Sequence, residues 1–325
     1  MTKNVWILID NRAGSNNQAR GVAEVLGWNI IEKKIYYNQW SSLPNLFLGA
    51  SLRGIDEHSK KILKPPFPDL VIAASRRAAP VARWIKKQSA NQTKIVQIMH
   101  PGNVGLKDFD KIFVSKHDAH KKHASNMYFI TGCAHRITSH TLLEGAKQWQ
   151  KEFAHLPKPL TAVIIGGSYK GHDFSEENAL LFGKEIRQYK QSIGGSILIT
   201  DSRRTGFGAQ NIIMRELEGI PTYEYLWGKD EGQNPYMGFL ACADDIIVTG
   251  DSVSMCCEAC GAGKKVQIFC GKNWLDKKHM SFINSLLQQK LAFLLGESIP
   301  EDIEFASHNP AYEIAEQIRK LFSAS

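Results

Sequence analysis

The sequence lacks the features that define several classes of protein. Nowhere do about 18 apolar residues run together, the length that a membrane-spanning helix needs. The apolar run at residues 5–9 is too short for the hydrophobic region of a secretion signal, and Asp10 follows it at once. Only 12 prolines among 325 residues, with 43% hydrophobic residues, exclude a disordered or fibrous chain. We therefore expect a soluble, cytoplasmic globular protein.

Cysteine is also sparse, with six residues in the whole chain. Without an export signal, these are expected to be reduced thiols and not a disulfide framework. Cys257 and Cys260 form a lone Cys-x-x-Cys motif, and a zinc site would need two further ligands from scattered positions. His117 and His120 have a spacing that a metal can use on a helix, but lysines flank them. We therefore predict no metal and no cofactor.

Charge of one sign is only modestly in excess. Forty Lys and Arg against 32 Asp and Glu give a formal net charge of +8, which favours anionic partners. The basic residues are dispersed as doublets outside any recognisable nucleic-acid-binding module, so a nucleic-acid partner is not expected.

What the chain does contain is an alternation of short Val- and Ile-rich runs with helix-like stretches. This rhythm is typical of βα units and a mostly parallel sheet, and it appears twice in a length that fits two domains. Pro157 and Pro159 precede a fresh strand and cannot continue a helix, so we predict domains at 1–156 and 157–325. Whether the last helix of the second domain packs on the first domain is left open.

The candidate strands are residues 5–9, 30–35, 70–74, 94–99, 111–115 and 127–131 in the first half, and 161–165, 196–200, 222–226, 245–249 and 265–269 in the second. The candidate helices are residues 16–26, 78–88, 142–153, 176–190, 209–217, 236–243 and 254–262.

Gly166, Gly167 and Ser168 link a predicted strand to a region that leads into a helix. Glycines let backbone N–H groups approach an anion closely, and a serine hydroxyl can donate a further hydrogen bond. The segment matches neither the Gly-x-Gly-x-x-Gly fingerprint nor the Gly-Lys-Ser/Thr phosphate loop. Two interpretations stay open: a phosphate-binding turn, or a tight turn that requires glycine for packing alone.

Polar residues also follow a second predicted strand, in the segment directly after its carboxyl end, which we call a strand exit. This strand exit contains Ser252 and Ser254 at the start of a predicted helix. Hydroxyls and N–H groups at the positive end of a helix suit a phosphate. Glu258 lies one turn further on among small apolar residues, where a carboxylate is costly unless it is paired or bonded to ligand hydroxyls. A ribose diol would satisfy it, and a capping or ion-pairing role is the alternative.

The tripeptide Ser-Arg-Arg follows one strand at residues 75–77 and another at 202–204. Residues just beyond the carboxyl ends of parallel strands line the ligand crevice of open α/β sheets, so both arginine pairs are expected to face a cleft. Solvated surface doublets are the alternative.

Several segments together resemble the mitochondrial fission Elm-type family. They are residues 234–244 with Asn234 and Tyr236, 248–255 with Asp251, Glu258 and Ala259, 10–18 with Gly14 and Asn17, 69–72, 109–110, 117–118 and 202–205. The resemblance spans almost the whole chain.

The family in turn resembles GT-B glycosyltransferases such as the peptidoglycan GlcNAc transferase and the Kdo transferase. The resemblance implies two Rossmann-like domains that face each other across a cleft, the first binding an acceptor and the second a nucleotide-sugar. The nucleotide or substrate contacts that it implies are Gly14, Asn17, Gly166, Gly167, Ser168, Ser202, Arg203, Asn234, Tyr236, Asp251, Ser252, Ser254 and Glu258. Arg204 would stabilise the departing phosphate.

The chain departs from the family in its first loop, where Ser15 follows Gly14 and relatives often have histidine. A substitute acid/base group is then needed, and Asp10, His100 and Asp118 are candidates. We favour Asp10 and His100 because both follow predicted strands.

The leading hypothesis is a metal-independent GT-B-type glycosyltransferase that transfers a sugar from a nucleotide-sugar to an acceptor. A nucleotide-sugar epimerase and a non-enzymatic adaptor with a vestigial cleft are the alternatives. A membrane-associated acceptor, and a peripheral location at the inner face of the membrane, are left open.

Overall fold

The computed structural model describes residues 2–119, 123–300 and 302–323, so His120 lies outside the described residues. The chain forms two compact units. Unit 1 runs to Arg136 and also includes the C-terminal segment from Pro310, and unit 2 is Ile137–Asn309.

Unit 1 is a parallel six-stranded sheet with helices. Its strands are β1 (Asn4–Ile9), β2 (Asn29–Lys34), β3 (Leu70–Ala74), β4 (Lys94–Ile98), β5 (Lys111–Ser115) and β6 (Met127–Ile130), in the order β2-β1-β3-β4-β5-β6. Its α-helices are α1 (Ala13–Leu26), α2 (Asn45–Leu48), α3 (Glu57–Lys61), α4 (Ala79–Gln88) and α11 (Pro310–Ser323).

The sheet of unit 1 is buried on both faces. Val5 and Ile7 of β1 pack in a cluster with α1 and α11, whereas Trp6 and Leu8 pack in another with Ile85 of α4. Side chains alternate between the faces of a strand, so a continuous apolar run is what a central strand covered on both faces requires.

Unit 2 has the same kind of parallel sheet. Its strands are β7 (Leu160–Ile164), β8 (Ser196–Thr200), β9 (Thr222–Tyr225), β10 (Asp245–Thr249), β11 (Lys265–Phe269) and β12 (Phe293–Leu294), in the order β12-β11-β10-β7-β8-β9. Its α-helices are α5 (Ser139–Trp149), α6 (Glu176–Ile193), α7 (Phe207–Glu216), α8 (Tyr236–Cys242), α9 (Val253–Gly261) and α10 (Lys277–Gln288).

One face of the unit 2 sheet carries a fully buried apolar cluster. Val163, Ile199 and Ile247 of the central strands pack with Phe182 of α6 and Ile213 of α7. Two parallel sheets with covering helices confirm the predicted α/β class.

The units divide the chain earlier than the expected Pro157, because α5 belongs to unit 2. Helix α5 packs closely on α8, where a Cβ on Gly238 would collide with the Trp149 ring, and one on Gly145 would lie 2.9 Å from the Met237 carbonyl oxygen. These glycines let two helix backbones approach. The last helix, α11, packs on α1 and so belongs to unit 1.

No helix in the described part of the chain is both long and apolar enough to cross a bilayer.

Candidate functional site

The strand order of unit 2 brings two strand exits side by side. The chain proceeds from β7 to β8 and β9 on one side and then returns to β10 on the other, so the order reverses between β7 and β10. In open α/β sheets such a switch point is where ligands bind. Gly167 follows β7, and its N–H donates to the carboxylate of Asp251, which follows β10, at 3.0 Å. Gly167 and Asp251, which were both predicted as site residues, are therefore in direct contact.

Asp251 is a buried anchor for Arg204. Its carboxylate accepts hydrogen bonds from the Thr249 hydroxyl at 2.7 Å and from Arg204 Nη1 at 2.7 Å, in addition to the Gly167 amide. Burial raises the pKa of this carboxyl, and the Arg204 charge opposes that rise. The Asp251 side chain is 0% exposed, so it positions Arg204 instead of making the direct ligand contact that the resemblance implied.

The backbone amides of the glycine turn are already used. Gly166 N–H donates to Thr249 Oγ1 at 2.7 Å, Gly167 N–H to Asp251, and Ser168 N–H to the Arg204 carbonyl at 2.9 Å. The interpretation of these amides as a phosphate cradle is thus wrong for this conformation, and the tight-turn alternative holds. A Cβ on Gly166 would collide with the Asp251 carboxylate, and one on Gly167 with the Arg204 backbone.

The β8 exit is tied to the same turn by hydroxyl groups. Ser202 Oγ and Thr205 Oγ1 both donate to the Gly166 carbonyl, Thr205 at 2.8 Å. The Arg204 N–H donates in turn to Ser202 Oγ at 3.1 Å. Ser202 is therefore a bracing residue, while Arg203 beside it is exposed.

Arg204 is fixed at one end of its side chain and accessible at the other. Its Nη1 donates to Asp251 and also to the carbonyls of Ser168 at 3.2 Å and Gly167 at 3.4 Å. One third (33%) of the side chain is exposed. Bonds on one nitrogen leave the other edge of the guanidinium able to donate to an anion.

Helix α9 begins next to this ion pair in the sequence. Ser252 is its N-cap, with an extended backbone and a side chain that accepts from the Met255 N–H at 3.4 Å. Ser254 lies in the first turn and is partly exposed. Backbone N–H groups in a first turn lack intrahelical acceptors and lie at the positive end of the helix dipole, an arrangement that suits an anion.

Three predicted residues meet at the polar end of α8. The Tyr236 hydroxyl donates to Glu258 Oε2 at 2.7 Å, and the Asn234 side chain accepts from the Tyr236 N–H at 2.9 Å. Burial raises the pKa of Glu258, and the tyrosine hydrogen bond acts against that rise. Burial and the nearby Glu258 charge raise the pKa of Tyr236 well above its ordinary value, so the phenol keeps its proton.

In unit 1, Asp10 follows β1 but its carboxylate is engaged. Oδ1 accepts from the Arg12 N–H at 2.7 Å, and Oδ2 accepts from Arg77 Nη2 at 2.8 Å. The side chain of Asn16, which the sequence analysis missed, accepts from the Asp10 N–H and donates to the Asp10 carbonyl. The Arg12 and Arg77 contacts orient the carboxylate, and since each oxygen has a second lone pair, Asp10 can still accept from a substrate.

Gly14 and Asn17 lie in the first turns of α1. Gly14 is exposed and Asn17 half-buried. The helix begins at Ala13, three residues before the expected start at residue 16.

His100 follows β4, and its hydrogen bonding contradicts the expected role as a base. Its Nδ1 lies 3.1 Å from the Gly102 nitrogen and accepts that N–H. In the neutral ring the proton therefore sits on Nε2, which makes this atom a donor. His100 is suited to donate a hydrogen bond through Nε2.

The third candidate for the acid/base group, Asp118, also lies in unit 1. Asp118 ends a short 3₁₀ segment, 3.8 Å from the His117 ring.

The cysteine motif is buried inside α9. Burial raises the pKa of the Cys260 thiol to about 12, which keeps it protonated at neutral pH. Among the described residues, no group of three His, Cys, Asp or Glu side chains could hold a metal ion. The absence of a metal stays a prediction.

Sequence comparison relates the chain to known proteins. The family model described as mitochondrial fission ELM1 matches residues 13–322. An uncharacterized protein of Rickettsia prowazekii is 33% identical over 97% of this chain and 98% of its own length. The mitochondrial fission protein ELM1 of Arabidopsis thaliana is 29% identical over 85% of this chain and 69% of its own length.

Solved structures share the fold at low sequence identity. UDP-GlcNAc 2-epimerase from Methanocaldococcus jannaschii matches with a TM-score of 0.60 at 11% identity, over 99% of this chain and 100% of that one. Its complex with UDP-GlcNAc and UDP matches with a TM-score of 0.52 at 13% identity, over the same shares. A putative UDP-N-acetylglucosamine 2-epimerase from Listeria monocytogenes gives 0.57 at 12% identity, over 100% and 98%. These similarities confirm the predicted GT-B-like fold.

Proposed function

Because the chain belongs to the mitochondrial fission ELM1 family, whose fold here is GT-B-like, we propose that unit 2 binds the nucleoside diphosphate of a nucleotide-sugar. The protein would then transfer the sugar to an acceptor, as a metal-independent glycosyltransferase. The solved relative in complex with UDP-GlcNAc and UDP makes this ligand class a reasonable one to test.

The observation that carries the proposal is the anchored arginine at the strand exits. A buried aspartate holds Arg204 at 2.7 Å, and a third of the arginine side chain reaches solvent. A cation fixed in advance loses little conformational freedom when it meets a phosphate. It also stabilises negative charge that grows on a departing diphosphate without reorganisation.

The start of α9 supports a second contact to the same ligand. The capping serine, Ser252, fixes the direction of the helix, and Ser254 adds a hydroxyl in the first turn. A phosphate placed there meets N–H groups and a positive dipole end. Arg204 and the helix start would share the two phosphates of a diphosphate.

The Glu258–Tyr236 pair supports recognition of the ribose. The tyrosine hydrogen bond uses Glu258 Oε2, so Oε1 can accept from a ribose hydroxyl. A carboxylate that accepts from a diol forms strong, charge-assisted hydrogen bonds. Tyr236, in turn, fixes the rotamer of Glu258, and Asn234 fixes the start of the helix that carries Tyr236.

In the transfer step, the bond from the anomeric carbon to the diphosphate oxygen breaks, a bond to the acceptor oxygen forms, and the acceptor proton passes to the Asp10 carboxylate as base. Arg204 would stabilise the leaving diphosphate. Asp10 is thus the proposed base, and His100 is the proposed hydrogen-bond donor through Nε2. Gly14 and Asn17 are retained as proposed substrate contacts, and Arg203 as a peripheral one whose loss should cost little affinity, because its side chain is exposed.

Calorimetry with UDP-, GDP-, CMP- and dTDP-sugars tests the proposal. We expect saturable binding of one class in the millimolar range or tighter, weakened in Arg204→Gln and unchanged in Arg215→Ala, an exposed arginine on α7. If no nucleotide-sugar binds at millimolar concentration, the transferase proposal fails. A donor sugar that isomerises without any acceptor would instead identify a nucleotide-sugar epimerase.

One observation favours a non-enzymatic adaptor as the second candidate. Trp40, Leu46 and Phe47 of unit 1 are 54%, 68% and 65% exposed, a concentration of apolar surface that suits an interaction with another protein or a membrane. If the protein is an adaptor only, replacing these three side chains should abolish binding of its partner. The unaltered protein should then bind no nucleotide-sugar.

A further inference from the structure

Unit 1 has a strand-order switch of its own. The chain goes from β1 to β2 at one edge and then returns to β3 on the other side of β1, so the order reverses between β1 and β3. Asp10 follows β1, the Ser-Arg-Arg tripeptide at 75–77 follows β3, and His100 follows β4, the next strand. Three adjacent strand exits therefore present polar side chains at the carboxyl edge of the sheet, where α/β folds bind ligands.

Buried donor atoms at these exits have no hydrogen-bond partner among the described residues. They are Ser75 Oγ, Arg77 Nε and His100 Nε2. Ser75 is only 6% exposed. One buried acceptor at the same place, Gln97 Oε1, also has no partner among the described residues. Native proteins satisfy nearly all buried polar groups, and three donors exceed this single acceptor, so the donors call for a further acceptor.

The backbone at the same place is strained. Ser75 and Met99 have φ values of 74° and 66°, in the left-handed region that non-glycine residues seldom adopt. Hydrogen bonds hold Ser75 there: its N–H donates to the Ile98 carbonyl at 3.0 Å, and its carbonyl accepts from Gln97 Nε2 at 3.0 Å. Strain of this kind persists where surrounding structure enforces it, and it concentrates at ligand sites.

The charges around the donors add up to an excess of positive charge. Arg77 is paired with Asp10. Arg76 instead donates to neutral acceptors, the carbonyls of Leu43 at 2.7 Å and Ser41 at 3.2 Å and the Asn45 side chain at 3.2 Å. Asp10 thus neutralises Arg77 but does not pair with Arg76, and hydrogen bonds to neutral oxygens do not cancel the charge of Arg76.

We propose that unit 1 binds an oxyanion, a phosphate or carboxylate group, through the Ser75 hydroxyl, the Arg77 Nε–H and the His100 Nε2–H. This site goes beyond the proposed nucleotide contacts, which all lie in unit 2 apart from Gly14 and Asn17. The side chain of Arg77 is 18% exposed and His100 is half-buried, so both side chains reach solvent at this edge of the sheet. Asp10 acts here as a positioning residue that orients Arg77.

The test uses NMR spectroscopy on the full-length protein, isotopically labelled at its histidine side chains. The two probes are inorganic phosphate and acetate. The chain has 11 histidines, and His100→Gln identifies the His100 resonance by its loss. We expect one or both anions to shift the His100 Nε2 signal in a saturable way. In Ser75→Ala the apparent Kd should rise about tenfold, because one of three donors is lost. His58→Gln and Ser42→Ala, exposed residues of the same unit, should leave that Kd unchanged.

Arg204→Gln separates this site from the one in unit 2. If the two are independent, the variant loses nucleotide binding and keeps the His100 shift. The proposal is overturned if neither anion shifts His100, if Ser75→Ala binds like the unaltered chain, or if Arg204→Gln removes the His100 shift. A failure of nucleotide binding alone leaves the unit 1 site standing.

Discussion

Arg204 Nη1 lies 2.7 Å from the Asp251 carboxylate, and this ion pair has a counterpart in unit 1, where Arg77 lies 2.8 Å from Asp10. In both pairs the arginine is the third residue of a Ser-Arg-Arg tripeptide at a strand exit. The aspartate side chains are 0% and 7% exposed, and the arginines 33% and 18%. Each unit therefore uses a buried carboxylate to hold a cation at its strand-order switch.

Asp251→Asn should destabilise unit 2, because it removes the buried negative charge that Arg204 Nη1 contacts. Breaking a fully buried pair costs about 3–5 kcal/mol. Arg204 is one third exposed, so we expect a smaller loss, about 2 kcal/mol, after solvent screening. Denaturant unfolding of the variant measures it.

Asp173→Asn is the control for this change, since Asp173 is an exposed aspartate of the same unit. An Asp251→Asn variant as stable as Asp173→Asn would contradict the anchoring role.

Gly167→Ala tests whether the glycine turn exists for close packing. Gly167 has φ of +128°, and an added Cβ would collide with the Arg204 backbone. Strain and collision together should lower the unfolding free energy by about 3 kcal/mol and displace Arg204. Thermal unfolding gives the loss, and Gly208→Ala is the control because nothing lies within 4 Å of its added Cβ. Equal melting temperatures in the two variants would refute the packing explanation.

The sequence predicted the central strands well, because buried parallel strands are continuous Val and Ile runs. Strands β3, β5, β8, β10 and β11 begin and end where the sequence placed them. Phe293–Leu294 was missed, since two residues carry no periodicity. Helix α10 was missed as well, although Asp276 caps its start.

The role of the glycine turn could not be predicted from local sequence. A phosphate cradle and a packed turn use the same glycines, and the difference lies in what the amides contact. Here the acceptors, Thr249 and Asp251, are 83 and 84 residues away from the amides they bind. The division into units lies earlier than the expected residue 157 for a similar reason, because the contact between α5 and α8 is equally nonlocal.

The raised pKa of Glu258 gives a pH dependence with a definite sign. As the pH rises above about 4.5, the ordinary value for glutamate, the unfolded chain loses this proton before the folded chain does. Stability from this group is therefore complete below that pH and is lost as the pH rises through the folded pKa. Glu258→Gln should remove this part of the decline, which urea unfolding between pH 4 and pH 7 can measure.

Tyr236→Phe provides the complementary change. Loss of the hydroxyl removes a hydrogen bond that lowers the Glu258 pKa, so the decline should begin at the same pH and extend to a higher pH. Glu224 is the comparison group, because burial also raises its pKa but Tyr236 does not contact it in the described structure. The part of the decline that Glu224→Gln removes should therefore be the same with and without the Tyr236 hydroxyl. A decline that stays in place in Tyr236→Phe would show that the tyrosine does not control this carboxyl.

Neighbouring arginines with different anchoring allow the proposed phosphate contact to be isolated. Arg203 is exposed, whereas Arg204 is held by Asp251 and two carbonyls. Losing a charge-assisted hydrogen bond costs about 1.5–3 kcal/mol, so Arg204→Ala should weaken nucleoside diphosphate binding about tenfold or more. If the protein catalyses sugar transfer, Arg204→Ala should lower kcat further than it lowers affinity, because the phosphate charge grows in the transition state.

Arg203→Ala should change the Kd by less than about twofold, because an exposed, flexible side chain must be ordered before it can bind. Calorimetry on both variants measures the difference, and equal losses would mean that the position of the arginine, and not its anchoring by Asp251, determines the contact.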